Sequence, residues 1–275
     1  MKAPAFSIWS SYDVELSPED AVLVMEARGF TVCELSDEHG AMLLKRGGDP
    51  AEIGARFRAF AEEHHVSFPQ GHLWLTVRLC NPAVDAVGIL SGWLALFAAI
   101  GIKNAVLHCD GYSFPEGTPE DVMIKENVAV LRRLAPAAER LGVRICLENL
   151  RGSFRDAETL LAVIDAVGSP ALGICLDTGH LNLTHPGTQE QFIRTAGDKL
   201  HALHIADNEG KTDQHMMPFG RGNVDFASVM RGLAAVGYAD LFNYEIPGER
   251  GCPMPVRNAK AEYLKEVTAY LYSLI

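Results

Sequence analysis

The chain lacks the features that mark several large protein classes. It has no GxGxxG or Walker loop, so nothing indicates a nucleotide-binding open sheet. It has no Ser- or Gly-rich linker that would divide its 275 residues into separate domains. Lys and Arg number 24 against 35 Asp and Glu, a formal net charge of −11, and no basic stripe is visible. This acidic balance argues against a nucleic-acid partner.

Paired cysteines and long apolar segments are also missing. The six cysteines include no CxxC pair, and Cys33, Cys146 and Cys175 stand inside apolar runs, which predicts buried thiols in a reducing compartment. The N-terminus reaches Asp13 without an apolar core long enough for a signal peptide. The uncharged stretch 86–102 falls just short of a membrane span and predicts a core helix. We therefore expect a cytoplasmic protein without a membrane partner.

What is present is a regular alternation of strand and helix patterns. Eight short apolar runs predict strands at 5–9, 30–35, 66–73, 104–108, 144–148, 172–177, 200–206 and 241–246, with a helical pattern after each. Two helix starts, at 17–20 and 118–121, place a hydroxyl at the N-cap, proline at the next position and acids in the first turn. Eight such units predict a closed (β/α)8 TIM barrel that forms a single α/β domain over residues 1–275.

Potential metal ligands end four of the predicted strands: Glu148, Asp177, His204 and Glu245. Active sites of such barrels lie at the C-terminal ends of the strands, where these side chains converge. Converging carboxylates repel one another unless a cation or a shared proton compensates them. The pattern therefore predicts a site for one divalent cation. Cys146 and Cys175, one pleat below, are expected to be packing residues.

Other polar residues stand at the same end of the predicted barrel. They are Glu34, His72 and His108 at the ends of the second, third and fourth strands, His180 just after Asp177, and Asp213 and His215 in the loop after the seventh strand. That loop, 207–222, is polar and longer than an ordinary βα connection, which predicts a lid over the site.

Taken together, these residues resemble the xylose-isomerase-like TIM barrels (AP endonuclease family 2). That family includes sugar and sugar-phosphate isomerases and epimerases, inosose dehydratases and apurinic endonucleases. The resemblance covers essentially the whole chain and is most specific at Leu147-Glu148-Asn149, Leu176-Asp177-Thr178-Gly179-His180, His204-Ile205-Ala206-Asp207-Asn208, Asp213-Gln214-His215 and Gly220-Arg221-Gly222-Asn223-Val224-Asp225-Phe226. It implies that Glu148, Asp177, His204 and Glu245 bind Mn²⁺, Mg²⁺, Zn²⁺ or Co²⁺, and that His180 contacts the substrate.

Glu148 and Glu245 on opposite walls of the barrel, with a cation between them, favour proton transfer on a bound hydroxy-ketone. One glutamate would remove the carbon-bound proton and the other would return it, giving an epimer or an aldose–ketose isomer. We therefore expect a sugar or sugar-phosphate isomerase or epimerase with a small carbohydrate substrate. Glu34 and Lys211 are weaker candidates for orienting the sugar.

An alternative interpretation is a trinuclear-zinc phosphodiesterase like the apurinic endonucleases of the family. The resemblance supplies a residue for each of the nine ligand positions of those enzymes: His72, His108, Glu148, Asp177, His180, His204, Asp213, His215 and Glu245. In this interpretation His72, His108, His180, Asp213 and His215 bind additional Zn²⁺ rather than substrate. A keto-sugar dehydratase or lyase, and a sugar-binding barrel without activity, also stay open.

The helix predicted between Pro82 and Ile100 has apolar residues on nearly every side. A helix that covers a barrel needs only one apolar stripe, so the remaining surface predicts a subunit interface and a homo-oligomer.

Overall fold

Strands and helices alternate through the computed structural model, which describes residues 3–248 and 251–275. The strands are β1 (Phe6–Ile8), β2 (Val32–Leu35), β3 (Ser67–His72), β4 (Asn104–His108), β5 (Arg144–Glu148), β6 (Leu172–Asp177), β7 (Leu200–His204) and β8 (Phe242–Tyr244). The α-helices of the described residues are α1 (Pro18–Ala27), α2 (Asp37–Leu44), α3 (Pro50–Glu63), α4 (Ala86–Ile100), α5 (Glu120–Leu141), α6 (Ala157–Val167), α7 (Thr178–Thr184), α8 (Gln189–Ala196), α9 (Phe226–Val236) and α10 (Met254–Tyr272). Short 3-10 helices lie at Ser10–Asp13 and Gly197–Lys199.

The strands are parallel and follow one another in chain order around the barrel. Strands β2 to β7 form one six-stranded ladder, and β1 pairs with β8. Between β7 and β8, the Ile205 amide donates to the Asn243 carbonyl at 2.8 Å, and the Glu245 amide donates to the Ile205 carbonyl at 3.2 Å. The predicted (β/α)8 barrel is confirmed.

The seam between β1 and β2 is held by side chains instead of a backbone ladder. The Cys33 thiol donates to the Ile8 carbonyl at 3.2 Å, and the Ser36 amide donates to the Ser10 hydroxyl at 2.9 Å. These contacts keep the first two strands adjacent, so all eight strand ends open onto one mouth.

The two predicted helix starts have different outcomes. Ser17 caps α1, and its hydroxyl accepts from the Asp20 amide at 3.1 Å, as predicted. The predicted cap at Thr118 is wrong, because α5 begins at Glu120 after Pro119. The Thr118 hydroxyl instead donates to the Pro115 carbonyl at 2.8 Å and closes the preceding turn.

Small side chains fill the barrel one layer below its mouth. Val106, Cys146, Cys175 and Ala202, from β4 to β7, form a separate cluster that is fully buried. All six cysteines are free, and the two in this layer pack the barrel interior as expected. A layer of small residues leaves room above it for the larger polar side chains of the strand ends.

Helix α4 does not leave the apolar surface on which its predicted subunit interface depended. Trp93 is 3% exposed and Phe97 is fully buried, because α4 packs against α3, α5 and the barrel. Of its large apolar side chains, Ile89 stands out at 44% exposed. The apolar character of α4 is therefore explained within one subunit, and the homo-oligomer stays a prediction. In the described part of the chain, no helix has the length and hydropathy needed to cross a membrane.

Candidate metal centre

Four side chains from consecutive strands meet at the centre of the barrel mouth. Glu148, Asp177 and His204 are the last residues of β5, β6 and β7, and Glu245 directly follows β8. Each offers one ligand atom, and these atoms lie within 4.8 Å of one another. All four residues are buried, with exposures between 0% and 6%. The period-two alternation of each strand directs these side chains into the barrel together.

Each of the four residues has a buried atom without a hydrogen-bond partner among the described residues. The atoms are Glu148 Oε1, Asp177 Oδ2, His204 Nδ1 and Glu245 Oε2. Leaving a polar atom buried and unpaired costs about 1–3 kcal/mol, and more for a charged group. Four such atoms directed at one point fit a divalent cation, whose coordination bonds would satisfy all of them.

The position of Glu34 explains the orientation of the His204 ring. His204 Nε2 lies 3.1 Å from Glu34 Oε1, and both residues are fully buried. With Nε2 donating its hydrogen to Glu34, Nδ1 presents a lone pair toward the centre. Metal-binding histidines commonly have such a carboxylate behind them. Glu34 also accepts hydrogen bonds from the amides of Gln70 and Asn243, so it is fixed below the site rather than at its surface.

The charges of the centre are strongly coupled. Burial alone would raise the pKa of Glu245, but His204 and His215 beside it lower that pKa to about 2. Burial would also raise the pKa of Glu148, and His204 and His108 instead hold it well below its usual range. For Asp177, burial dominates and raises the pKa to about 7. The two glutamates are therefore ionised and require positive charge nearby, which imidazolium groups or a bound cation can supply.

Two histidines extend the centre toward β3 and β4. His108 Nε2 lies 3.1 Å, and His72 Nε2 3.5 Å, from Glu148 Oε2. His72 Nδ1 donates to the Leu73 carbonyl at 2.6 Å, which leaves Nε2 directed inward. His72, His108 and Glu148 form a second group of converging ligand atoms that shares Glu148 with the first.

A third group lies on the opposite side, under the loop between β7 and α9. Asp177, His180 and His215 bring ligand atoms within 4.8 Å of one another. Asp213 contacts both histidines, at 3.2 Å from His180 Nε2 and 3.1 Å from His215 Nε2. The backbone of His215 has φ of 44°, a left-handed conformation that is strained for a non-glycine residue. Its ring holds this position, because Nδ1 donates to the Glu245 carbonyl at 2.9 Å.

The structure thus brings nine of the predicted site residues together at one mouth. The two weaker candidates, Glu34 and Lys211, lie outside this set, at two different places. Glu34 lies behind His204, where it can orient a ligand but is separated from the mouth by that ring. Lys211 is exposed on the loop between β7 and α9, outside the converging groups.

Sequence reasoning missed two residues that shape the site. The Asn149 side chain accepts from the Asp177 amide at 2.8 Å and donates to the Asp177 carbonyl at 3.1 Å, so it ties the ends of β5 and β6 together. Arg151 reaches across the mouth, with Nε 3.5 Å from Asp213 Oδ2. Asn149 directly follows Glu148, so its position next to a predicted ligand could have indicated a role at the site. The contact of Arg151 with Asp213 joins two loops that are distant in the sequence, and no local sequence pattern predicts it.

Comparisons with known proteins identify the family and the fold of the chain. The family model described as xylose isomerase-like TIM barrel matches residues 23–274. The chain is 29% identical over 197 residues to the uncharacterized protein y4fM of Sinorhizobium fredii, covering 70% of this chain and 60% of that protein. It is 30% identical over 168 residues to the L-ribulose 3-epimerase of Mesorhizobium japonicum, covering 59% of this chain and 54% of that protein. The matched segments therefore span less than two thirds of either relative.

The fold is also similar to a crystal structure of D-psicose 3-epimerase with D-tagatose from Clostridium cellulolyticum H10. The TM-score is 0.80 at 18% sequence identity, and the match covers 97% of this chain and 99% of that one. At this identity the likeness concerns the fold alone. Because the family model spans nearly the whole sequence, the chain belongs to the xylose isomerase-like TIM barrel family.

Proposed function

We propose that this protein is a divalent-metal-dependent sugar isomerase or epimerase in which Glu148 and Glu245 move the proton. The observation that carries this proposal is the set of four unpartnered, buried ligand atoms at the centre of the barrel mouth. Three carboxylates and one imidazole accommodate Mn²⁺ or Mg²⁺ as hard cations, and Zn²⁺ or Co²⁺ as borderline ones. The relative named L-ribulose 3-epimerase supports the reaction class.

The arrangement of the two glutamates suits a proton transfer through two faces of a substrate. His204 Nδ1 lies 3.2 Å from Glu148 Oε2 and 3.3 Å from Glu245 Oε2, so both carboxylates border the same space. They arrive from β5 and β8, which are different walls of the barrel. Glu148, Asp177, His204 and Glu245 would hold the cation, whose positive charge would acidify the hydrogen beside the carbonyl of a bound hydroxy-ketone.

The low pKa of both glutamates leaves each ionised and ready to accept a proton at neutral pH. One carboxylate removes the hydrogen next to the carbonyl and becomes a carboxylic acid. The other, on a different wall of the barrel, first takes up a proton from a neighbouring imidazolium and then gives it to the carbon; His108 lies beside Glu148 and His215 beside Glu245. Return to the same carbon from the opposite face gives an epimer, whereas return to the neighbouring carbon gives an isomer. His180, whose Nε2 lies 3.2 Å from Asp213, is placed to orient a substrate hydroxyl beside Glu148.

The direct test is exchange of carbon-bound hydrogen in deuterated water. Metal content of the purified protein is measured first, and ketoses, ketose phosphates and keto-sugars are then incubated with the Mn²⁺-loaded protein and followed by NMR. Glu148→Gln and Glu245→Gln should each reduce exchange by about 10²-fold or more, because both remove a proton-transfer group. Metal content must be measured in each variant, since both residues are also proposed ligands. No exchange with any sugar by metal-loaded protein would contradict the proposal.

A keto-sugar dehydratase would share the proton-abstraction step but expel a hydroxyl group. Inosose and 3-keto-sugars therefore serve as additional substrates, and an enone absorbance that appears with time would identify elimination. Binding of a sugar with neither exchange nor enone formation would identify a binding protein without activity.

The alternative of a trinuclear-zinc phosphodiesterase has one specific observation in its favour. Three of the four groups of converging ligand atoms overlap at Glu148 and Asp177, and Asp213 borders the third of these, formed by Asp177, His180 and His215. The Arg151 guanidinium, 3.5 Å from Asp213, counts against a cation at that third position, because it adds a positive charge beside it. The net charge of −11 also opposes approach of a nucleic-acid backbone.

Abasic-site duplex DNA separates the two functions. We expect no zinc-dependent cleavage of this substrate. Cleavage that is abolished by Asp213→Ala or His215→Ala would replace the sugar proposal with the phosphodiesterase. In a single-metal enzyme, these two residues and His72 and His108 serve as hydrogen-bonding groups, so the same variants should keep one bound cation per chain.

A further inference from the structure

A cavity of about 350 Å³ opens directly beside the candidate metal centre. Four segments border it: the 3-10 helix after β1, the loop between β7 and α9, the residues after β8, and the start of α10. Two of its lining residues belong to the rim of the centre. His215 contacts Glu245, and Ile246 is the next residue in the chain. Any substrate held at the centre therefore has this cavity next to it.

Most of the cavity surface is apolar, although the lining also includes Gln214, Arg221, Arg257 and Lys260. The Arg221 guanidinium pairs with Glu209 and the Arg257 guanidinium with Glu15. Met216 and Met217 line it from the loop, Ile246 and Pro247 from the residues after β8, and Tyr12 from the opposite side. Both methionines are half-buried, and Met217 also packs against the hydrophobic core. Methionine is flexible and polarisable, and it adapts to apolar groups of different shape.

An unsubstituted sugar is a poor match for such a lining. It carries a hydroxyl on almost every carbon, and hydroxyls placed against methionine and isoleucine would lose their water without gaining partners. An apolar group attached to the sugar would instead gain free energy in proportion to the area it buries. The volume lies within the ~300–1,000 Å³ range of small-molecule pockets, which is enough for an aromatic ring or a short alkyl chain.

We infer that the substrate is a substituted sugar, such as a keto-glycoside, whose apolar substituent occupies the cavity lined by Met216, Met217 and Ile246. The inference rests on the proposed function for the position of the sugar itself. It assigns the cavity to the substituent and the metal centre to the reacting carbons.

Two matched probes test this assignment: the methyl and phenyl 3-keto-β-D-glucopyranosides. Each has a ketone flanked by two carbon-bound hydrogens, and they differ only in the size of the apolar substituent. Their affinities for the Mn²⁺-loaded protein are measured by calorimetry. Burial of the phenyl ring should make the phenyl compound bind about tenfold tighter or more.

Met216→Gln and Met217→Gln should each reduce this ratio several-fold while the methyl compound keeps its affinity. The matched control is Tyr112→Ser, because Tyr112 is 65% exposed and lines a separate cavity at the loop between β4 and α5. This control should leave the ratio unchanged. Melting temperatures of the three variants establish that each is folded.

Equal affinities for the two probes, no binding of either, or a preference that survives both methionine variants would overturn the inference. Loss of the preference in Tyr112→Ser alone would place the substituent in the other cavity and also overturn it. Deuterium exchange in the same samples separates this result from the proposed function. Phenyl-selective binding without exchange contradicts the isomerase, and exchange without selectivity contradicts only the cavity assignment.

Discussion

Single residues behind the ligands decide how well a cation can be held. Glu34 is the clearest example, because it contacts the ligand His204 and is not itself one of the proposed ligands. Its Oε1 lies 3.1 Å from His204 Nε2. Replacing it by Gln keeps the size but removes the negative charge that fixes the ring and its tautomer. We predict that Glu34→Gln lowers Mn²⁺ affinity by about 10- to 100-fold, which calorimetry or electron paramagnetic resonance would measure.

The control for this substitution is Glu62→Gln. Glu62 is exposed on α3, where it pairs with Arg58 at 2.7 Å, and exposed pairs contribute little to stability. Mn²⁺ affinity should be unchanged in this variant. If Glu34→Gln bound Mn²⁺ as tightly as the native protein, Glu34 would have no role in orienting His204.

At this scale the sequence predicted much of the site. The ligand types at the strand ends identified Glu148, Asp177, His204 and Glu245, because alternation along a strand determines which side chains face inward. The sequence also predicted that Glu34 lies at the barrel mouth, but it did not predict the contact of Glu34 with His204. That contact joins β2 to β7 and depends on how far each side chain reaches across the barrel, which alternation within one strand cannot indicate.

At the scale of elements, the loop between β7 and α9 is held together by Asp207. Its Oδ1 accepts from the Asn208 amide at 2.9 Å and from the Val224 amide at 3.0 Å, so one carboxylate joins the two ends of the loop. Gly222 passes so close that an added Cβ would lie 2.1 Å from Asp207 Oδ1. Any side chain at position 222 therefore displaces the carboxylate.

We predict that Gly222→Ala destabilises the protein by about 1–3 kcal/mol, as overpacking does. Turnover should fall by about tenfold or more, because the same loop positions Asp213 and His215 and small displacements of such groups are costly. Gly220→Ala is the matched control, since its Cβ would meet nothing nearer than the Met217 carbonyl at 3.6 Å. Thermal melting and exchange rates of the two variants provide the comparison, and similar behaviour of both would exclude this role of Asp207.

The contact between α3 and α4 gives a second pair of glycine variants. A Cβ at Gly54 would lie 2.5 Å from the Leu96 carbonyl, whereas a Cβ at Gly92 of α4 would find its nearest neighbour, the Pro50 side chain of α3, 4.0 Å away. We predict that Gly54→Ala costs about 1–3 kcal/mol by forcing the helices apart. Gly92→Ala should stabilise the protein by about 0.5–1 kcal/mol through helix propensity. Urea unfolding measures both, and a neutral Gly54→Ala would mean that the helices separate easily.

The bounds of three central strands were predicted well, and those of the first and last strands less well. The strands at 104–108, 144–148 and 172–177 agree with β4, β5 and β6, whereas the predicted first and last strands are each longer than β1 and β8. The subunit interface predicted for α4 shows the limit of composition. The sequence pattern of an apolar helix is the same whether its second face contacts another subunit or, as in α4, neighbouring helices of the same subunit.

For the whole molecule, the candidate centre lies at one of the two seams between the sheets of the barrel. The six-stranded ladder ends at β7, and β8 pairs with β1 and reaches β7 by the single bridge of Ile205 and Tyr244. Three of the proposed ligands belong to the six-stranded ladder, whereas Glu245 follows β8. A cation bound by all four would therefore connect the two sheets across this seam.

Removal of the cation should for this reason loosen the seam as well as lower overall stability. A ligand at about 100 times its Kd stabilises a protein by about 2.7 kcal/mol, which corresponds to roughly 5–10 °C in Tm for a chain of this size. We predict that Tm falls by this amount on dialysis against a chelator and recovers when Mn²⁺ is added. Hydrogen exchange should rise more at the amides of Ile205 and Glu245, which bridge β7 and β8, than at the amides of β4. A uniform rise over all strands would show that the cation stabilises the barrel without connecting its two sheets, and an unchanged Tm would contradict a bound cation at this site.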